Sequence, residues 1–280
     1  MIPIFLALAI LGSVSSNIIE KYVLKSHSAH AFTVLKNLLC GVFFIPIAFL
    51  NISFQSTTEA IVALIMAGSL WAVAGILSSV STKNTHVSIR APLGQSRLLW
   101  NLLFSAIILK ETITLNHFIA VLIIFIGITV LLWHPERKFG SLKDIGVRWT
   151  LIYAVVVGLT AITDRYALRF FSPEFYGFLA FLMPAIILSF FTPKSDDNVK
   201  HLWKMNKWKI MSVSALSVIT YYATLRLYLL LPISVVYPLL QLSTLLTVFG
   251  GIIFFKEKEN IAQKVLAAIL VISGAVLLKI

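Results

Sequence analysis

The sequence predicts an all-α integral membrane protein with ten transmembrane helices, arranged as two inverted five-helix repeats. Three observations carry that prediction. Of 280 residues, 59% are hydrophobic and only 12% are charged, with a mean hydropathy of +0.95. A soluble domain carries about 25% charge, so the bilayer must serve as solvent for much of this chain. Apolar runs of about 20 residues, each enough for one crossing of the hydrocarbon core, follow one another along the whole length. The chain also repeats itself. Glu20-Lys21-Tyr22-Val23-Leu24 returns 144 positions later as Asp164-Arg165-Tyr166-Ala167-Leu168. Ser88, Pro92, Leu93, Gln95, Leu99, Ile107, Lys110 and Glu111 return 146 positions later as Ser234, Pro238, Leu239, Gln241, Leu245, Ile253, Lys256 and Glu257.

The apolar runs place spans near 2–24, 29–50, 59–82, 87–109, 113–133, 148–168, 173–192, 209–230, 232–255 and 260–279. The first run lacks a positive leader and continues into Asn17 and Glu20, so it reads as a mature span and not as a signal peptide. Only 134–147 and 193–208 are long enough for notable loops. The duplication boundary falls in the first of these, where Pro135, Arg137, Lys138, Gly140 and Lys143 interrupt the apolar pattern. It divides the chain into repeats at 1–135 and 141–280. Each holds five spans. Five is odd, so the second repeat enters the membrane from the opposite side, the arrangement found in alternating-access transporters.

No stretch suits a soluble domain, which argues against an attached enzyme, receptor or ATP-driven motor. There is no Gly-rich phosphate loop, no HExxH and no His/Cys cluster, so neither a metal nor a cofactor is expected. The single cysteine, Cys40, lies in an apolar run and reads as a packing residue. A net charge of +12 in a soluble protein would suggest nucleic acid. Here the lysines cluster between apolar runs, where they orient the protein and meet anionic lipid headgroups. The odd-to-even connections hold fourteen basic residues, among them Lys25, Arg90, Arg137, Lys143, Lys204 and Lys256. The opposite set holds little beyond Lys110, Arg169 and Arg226. The positive-inside rule then puts both termini outside.

The pattern at the fourth and fifth spans occurs twice: Pro92, Leu109-Lys110-Glu111 and Gly127, then Pro238, Phe255-Lys256-Glu257 and Gly274. With it, the chain resembles the drug/metabolite transporter superfamily, in its ten-span EamA-type branch. The resemblance implies paired five-helix repeats around a central cavity, transport without ATP hydrolysis, and termini in the cytoplasm, against the charge bias. It does not name a substrate. The first half departs from the common pattern in carrying Arg97 mid-span.

Pro92 and Pro238 read as helix-start or kink residues. Glu111 and Glu257 read as caps at the starts of the fifth and tenth spans, where a carboxylate meets the positive helix end. Arg97 is the sharpest signal: a permanent charge about ten residues into the fourth span needs a wet cavity or a partner. Arg90, Gly94, Arg97, Asn101 and Ser105 share its helix face. Lys36 and Asn37 in the second span are further candidates, with Trp71, Tyr221, Tyr222, Tyr237 and Gln241 as possible pocket lining. Ser13, Ser16, Asn17 and Glu20 form a polar stripe on the first span, and Thr160, Thr163 and Asp164 another on the sixth. Glu20 and Asp164 are either interfacial anchors or coupling residues that carry protons along the pathway.

Together these readings give a secondary transporter in the cell (inner or plasma) membrane that moves a small polar metabolite, amino-acid-like or anionic. Its expected partners are that small molecule, membrane lipids and, as coupling ion, protons. A lipid or lipid-linked-sugar flippase is the alternative, and an intramembrane enzyme a more distant one, since no nucleophile or metal set assembles.

Overall fold

Each of the ten apolar runs is helical in the computed structural model, which describes residues 1–24, 29–84, 87–133, 143–190, 197–255 and 261–278. The helices are α1 (Ile2–Leu24), α2 (Ala29–Ala48), α3 (Thr58–Asn84), α4 (Val87–Gly94), α5 (Arg97–Ile108), α6 (Leu115–Leu132), α7 (Ile145–Ala167), α8 (Pro173–Phe190), α9 (Asp197–Leu230), α10 (Ile233–Leu239), α11 (Leu242–Phe255) and α12 (Ile261–Leu277). The chain is an all-α membrane protein. Among the described residues, β pairing is confined to one isolated bridge, Phe54 with Phe171.

The fourth and ninth spans are each broken at repeat-related positions, giving α4/α5 and α10/α11. Both breaks follow the proline closely. At the first, Gln95 N donates to Pro92 O at 3.1 Å and Ser96 N to Leu93 O at 3.1 Å. At the second, Gln241 N donates to Pro238 O at 3.0 Å and Ser243 N to Leu240 O at 3.1 Å. These three-residue bonds tighten the helix locally while keeping backbone donors satisfied, which hydrocarbon requires.

The helices pack as two compact units, Met1–Gly75 with Thr163–Leu230 and Ile76–Ile162 with Leu231–Ile280. Each takes residues from both halves of the sequence. In the first, α1 packs along α9, and α2 packs on both α8 and α9. Val23, Phe32, Leu202, Ile210 and Val213 form one buried cluster there, and Cys40, Phe44 and Val218 another. Cys40 is a packing residue whose Sγ lies 3.5 Å from Ser214 O. The 51–55 segment pairs with 170–172: Gln55 N donates to Phe170 O at 2.8 Å, Ser172 N to Ser53 O at 2.9 Å, and Phe54 stacks on Phe171.

In the second unit α6 packs along α12 and α5 against α10. The repeat-related glycines Gly127 and Gly274 set that first contact. A Cβ on Gly127 would lie 2.9 Å from Leu270 Cβ, and one on Gly274 would lie 2.9 Å from Ala120 O.

Three expectations need correction. The loop expected at 193–208 is helical from Asp197 onward, where the polar start of α9 continues the helix past the apolar run. Glu111 does not cap the fifth span. Thr114 does, accepting from His117 N at 3.2 Å. Glu111 instead accepts from Ile233 N at 2.8 Å and Ser234 N at 3.0 Å, so it caps α10 in the other repeat. Lys110 makes this reach possible by taking a left-handed turn, φ 56°, at the end of α5. Finally, Arg90 and Gly94 do not continue the helix face of Arg97, Asn101 and Ser105, because the helix breaks between them. Glu257, with Lys25, Arg137, Lys138, Lys194, Lys256 and Lys258, lies outside the described residues.

Candidate functional site

The first unit holds a cavity of about 310 Å³. Its polar wall is the predicted stripe of α1, Ser13, Ser16 and Asn17, with Lys36 and Asn37 of α2 and Ser217, Thr220 and Thr224 of α9. Its apolar wall is Trp71, Ala180, Phe181, Pro184 and Tyr221. The stripe follows from helical spacing: residues three or four apart share a face, and a lipid-facing helix has no use for hydroxyls and amides. Ser16 Oγ is 3.3 Å from Ser217 Oγ, joining α1 to α9 across the wall. Trp71 and Phe181 both stand edge-on to Tyr221, with ring centroids 6.4 and 5.1 Å apart.

Charge borders the cavity in two places. Lys36 Nζ is 3.0 Å from Glu20 Oε2, and both side chains are half-buried. The pair leaves two ammonium protons of Lys36 for other acceptors. Asp164 lies behind the aromatic wall and is 1% exposed. Trp71 Nε1 and Tyr176 OH donate to its Oδ1 at 3.1 and 2.7 Å, and Tyr221 OH donates to its Oδ2 at 3.0 Å. Two of these three donors, Trp71 and Tyr221, also line the cavity, so they link its contents to a buried carboxyl. A second network adjoins on α8 and α9. The buried Glu174 is ion-paired with Arg226 and accepts from Tyr222 OH at 2.7 Å, while Arg226 Nε donates to that hydroxyl at 3.0 Å.

Of the residues singled out in the sequence, Lys36, Asn37, Trp71 and Tyr221 come together at the cavity, with Glu20 and Asp164 behind it. Tyr222 belongs to the Glu174 network. Arg97, Asn101, Tyr237 and Gln241 belong to the second unit. There Asn101 is buried and donates to Gly158 O at 3.2 Å, a bond between α5 and α7. Gln95 and Gln241 are related by the repeat, and both are buried at a helix break. Gln95 Oε1 accepts from Arg97 Nη2 at 3.4 Å, and Gln241 Oε1 accepts from Thr244 Oγ1 at 3.3 Å. Among the described residues, the buried Nε of Arg97 has no hydrogen-bond partner. Arg90, by contrast, is held by Ser81 Oγ at 2.8 Å and Ser78 Oγ at 2.9 Å, and lies over the Tyr153 ring.

Sequence reasoning missed Tyr176, Thr220, Thr224 and Glu174. Glu174 had a usable signal, an acid in the first turn of one apolar span with an arginine inside the next. Tyr176 had none, since an aromatic near a span end reads as a belt residue.

The model of the EamA-like transporter family matches residues 1–133 and again residues 144–280, so the chain belongs to that family. Its members are transporters and not enzymes, which agrees with the resemblance read from the sequence. A solved crystal structure of a protein shares the fold at a TM-score of 0.74 and 16% identity, covering 99% of this chain and 95% of that one. No curated protein matches the sequence.

Proposed function

We propose that this membrane transporter is a secondary transporter that moves a small polar metabolite across the cell membrane by alternating access of two inverted repeats. The observation that supports this is the cavity of about 310 Å³ with hydroxyls, amides and Lys36 on one wall and edge-to-face aromatics on the other. Such a lining suits a molecule with both a hydrogen-bonding group and a flat or apolar part. Asn37 and Lys36 are its candidate head-group contacts, and Trp71 and Tyr221 its candidate packing surface. Arg97 is a second candidate, for an anionic group, because a guanidinium presents two parallel donors to a carboxylate or phosphate. Protons are the candidate coupling ion, through Asp164 or Glu20.

The test is a thermal-shift screen of purified protein against metabolite classes, followed by uptake into proteoliposomes. A bound ligand stabilises by RT ln(1 + [L]/Kd). The expected result is stabilisation by one class, lost in Trp71→Ala and Lys36→Gln. An anion contact at Arg97 gives a large affinity loss in folded Arg97→Gln and a partial loss in Arg97→Lys. Unaltered binding by folded Arg97→Gln removes Arg97 from the site. Failure of every polar class both to bind and to be taken up overturns the proposal.

A further inference from the structure

α9 is 34 residues long. It is two helical segments joined at Asn206, and the one from Lys207 to Leu230 rises about 36 Å at 1.5 Å per residue, against a hydrocarbon core about 30 Å thick. The apolar stretch from Ile210 to Leu230 suffices for the crossing. The change from lysine-rich to apolar sequence falls between Lys209 and Ile210.

Two features coincide at that change. The backbone of Asn206 leaves the helical region, at φ −133° and ψ 20°. Around this break Lys204, Met205, Asn206, Lys207, Trp208 and Lys209 line a cleft of about 400 Å³. The segment before the break does not hang free, because Leu202 is fully buried in the cluster with Val23, Phe32, Ile210 and Val213. Its outward side is amphipathic. Trp203 is 36%, Met205 64% and Trp208 71% exposed. No carboxylate pairs with Lys204, Lys207 or Lys209 among the described residues. Lys207 Nζ lies 5.1 Å from the centre of the Trp208 ring.

We propose that this break is a binding site for the headgroup of an anionic phospholipid. The lysines surround a phosphate at the depth where lipid phosphates lie. Trp208 and Met205 rest on the upper acyl chain, the mixed apolar and polar zone that aromatic residues favour. The helical path is interrupted between Lys204 and Lys207, and Leu202 anchors the segment before the break. Free phosphate would use the lysines but not the exposed tryptophan and methionine, so the site favours lipid over a soluble anion.

The experiment is native mass spectrometry of the full-length protein in neutral detergent, titrated with phosphatidylglycerol and with phosphatidylcholine. The expected result is preferential retention of phosphatidylglycerol. Each Lys→Gln change at 204, 207 or 209 should weaken it about fivefold, and the triple variant about a hundredfold. Arg148→Gln, an exposed charge at the start of α7, should leave retention unchanged. Lys207→Gln alone serves if the triple variant does not fold. Equal retention of the two lipids overturns the proposal. So does an equal loss in Arg148→Gln, which marks diffuse surface charge, or displacement by equimolar inorganic phosphate, which marks a free-anion site.

Discussion

Asp164 is a buried carboxyl held by three neutral donors, two on Oδ1 and one on Oδ2. An amide in its place offers one acceptor oxygen and one donor group. The indole of Trp71 can only donate, so the amide oxygen must face Trp71 and the amide nitrogen Tyr221, whose hydroxyl can turn to accept. Asp164→Asn is therefore expected to fold, at a cost of about 1–3 kcal/mol seen in thermal unfolding. If Asp164 carries the coupling proton, this variant loses pH-dependent uptake in proteoliposomes yet still binds substrate. Glu20→Gln provides the comparison, since it removes only the partner of Lys36. A normal pH profile in both variants leaves Asp164 and Glu20 as structural groups. The sequence marked both acids through the repeat but showed nothing of their different surroundings. One lies against a lysine from α2, the other among aromatics from α3, α8 and α9, and such contacts depend on which helices meet.

Packing between helices rests on single atoms. A methyl on Gly274 would stand 2.7 Å from Ile124 Cγ1 and 2.9 Å from the carbonyl of Ala120. The backbone cannot yield as a side chain does, so Gly274→Ala should destabilise by about 1–3 kcal/mol. A methyl on Gly41 would meet nothing within 4 Å. Gly41→Ala, inside α2, is expected to be neutral or to stabilise by about 0.4–1 kcal/mol. Comparison of the two by thermal unfolding checks the contact, and equal behaviour removes it. Glu111 acts at the same scale. It supplies both carboxylate oxygens to the first amides of α10, where Pro232 at the cap has no side-chain acceptor. Glu111→Ala is expected to cost about 0.5–2 kcal/mol and Glu111→Gln less, because one acceptor remains. Helix positions were legible from the apolar runs, to within a few residues at most ends. The start of α9 was not, since its lysines and asparagines carry no apolar period. The target of Glu111 was not either, because capping in trans leaves no mark in local sequence.

At the scale of the whole molecule, two arguments from the sequence oppose each other on orientation. The basic residues crowd the odd-to-even connections, including the start of α9 with Lys204, Lys207 and Lys209. The charge bias then puts both termini outside, whereas resemblance to the family puts them in the cytoplasm. A C-terminal reporter active only in the cytoplasm should be silent if the charges decide. Activity of that reporter would reverse the assignment. The class of protein was legible from composition alone, and the family from repeated short patterns. The cavity lining was legible only in part: polar residues in apolar helices stood out, as Ser13, Ser16, Asn17, Lys36 and Asn37 did. The apolar wall of Phe181 and Pro184 did not, because in a membrane span such residues are the background.

The crossing of α6 and α12 has a mechanical meaning. Gly127 receives Leu270 and Val271 from α12, and Gly274 receives Ala120 and Ile124 from α6. Each helix thus holds a notch filled by the other. Sliding along the common axis by even one residue, about 1.5 Å, would drive side chains against backbone at both notches. The pair resists shear and travels as one strut. Sliding between these two helices is thus disfavoured, and the tightened turns at Gln95 and Gln241 are places where the same unit departs from straight helix and bends more easily.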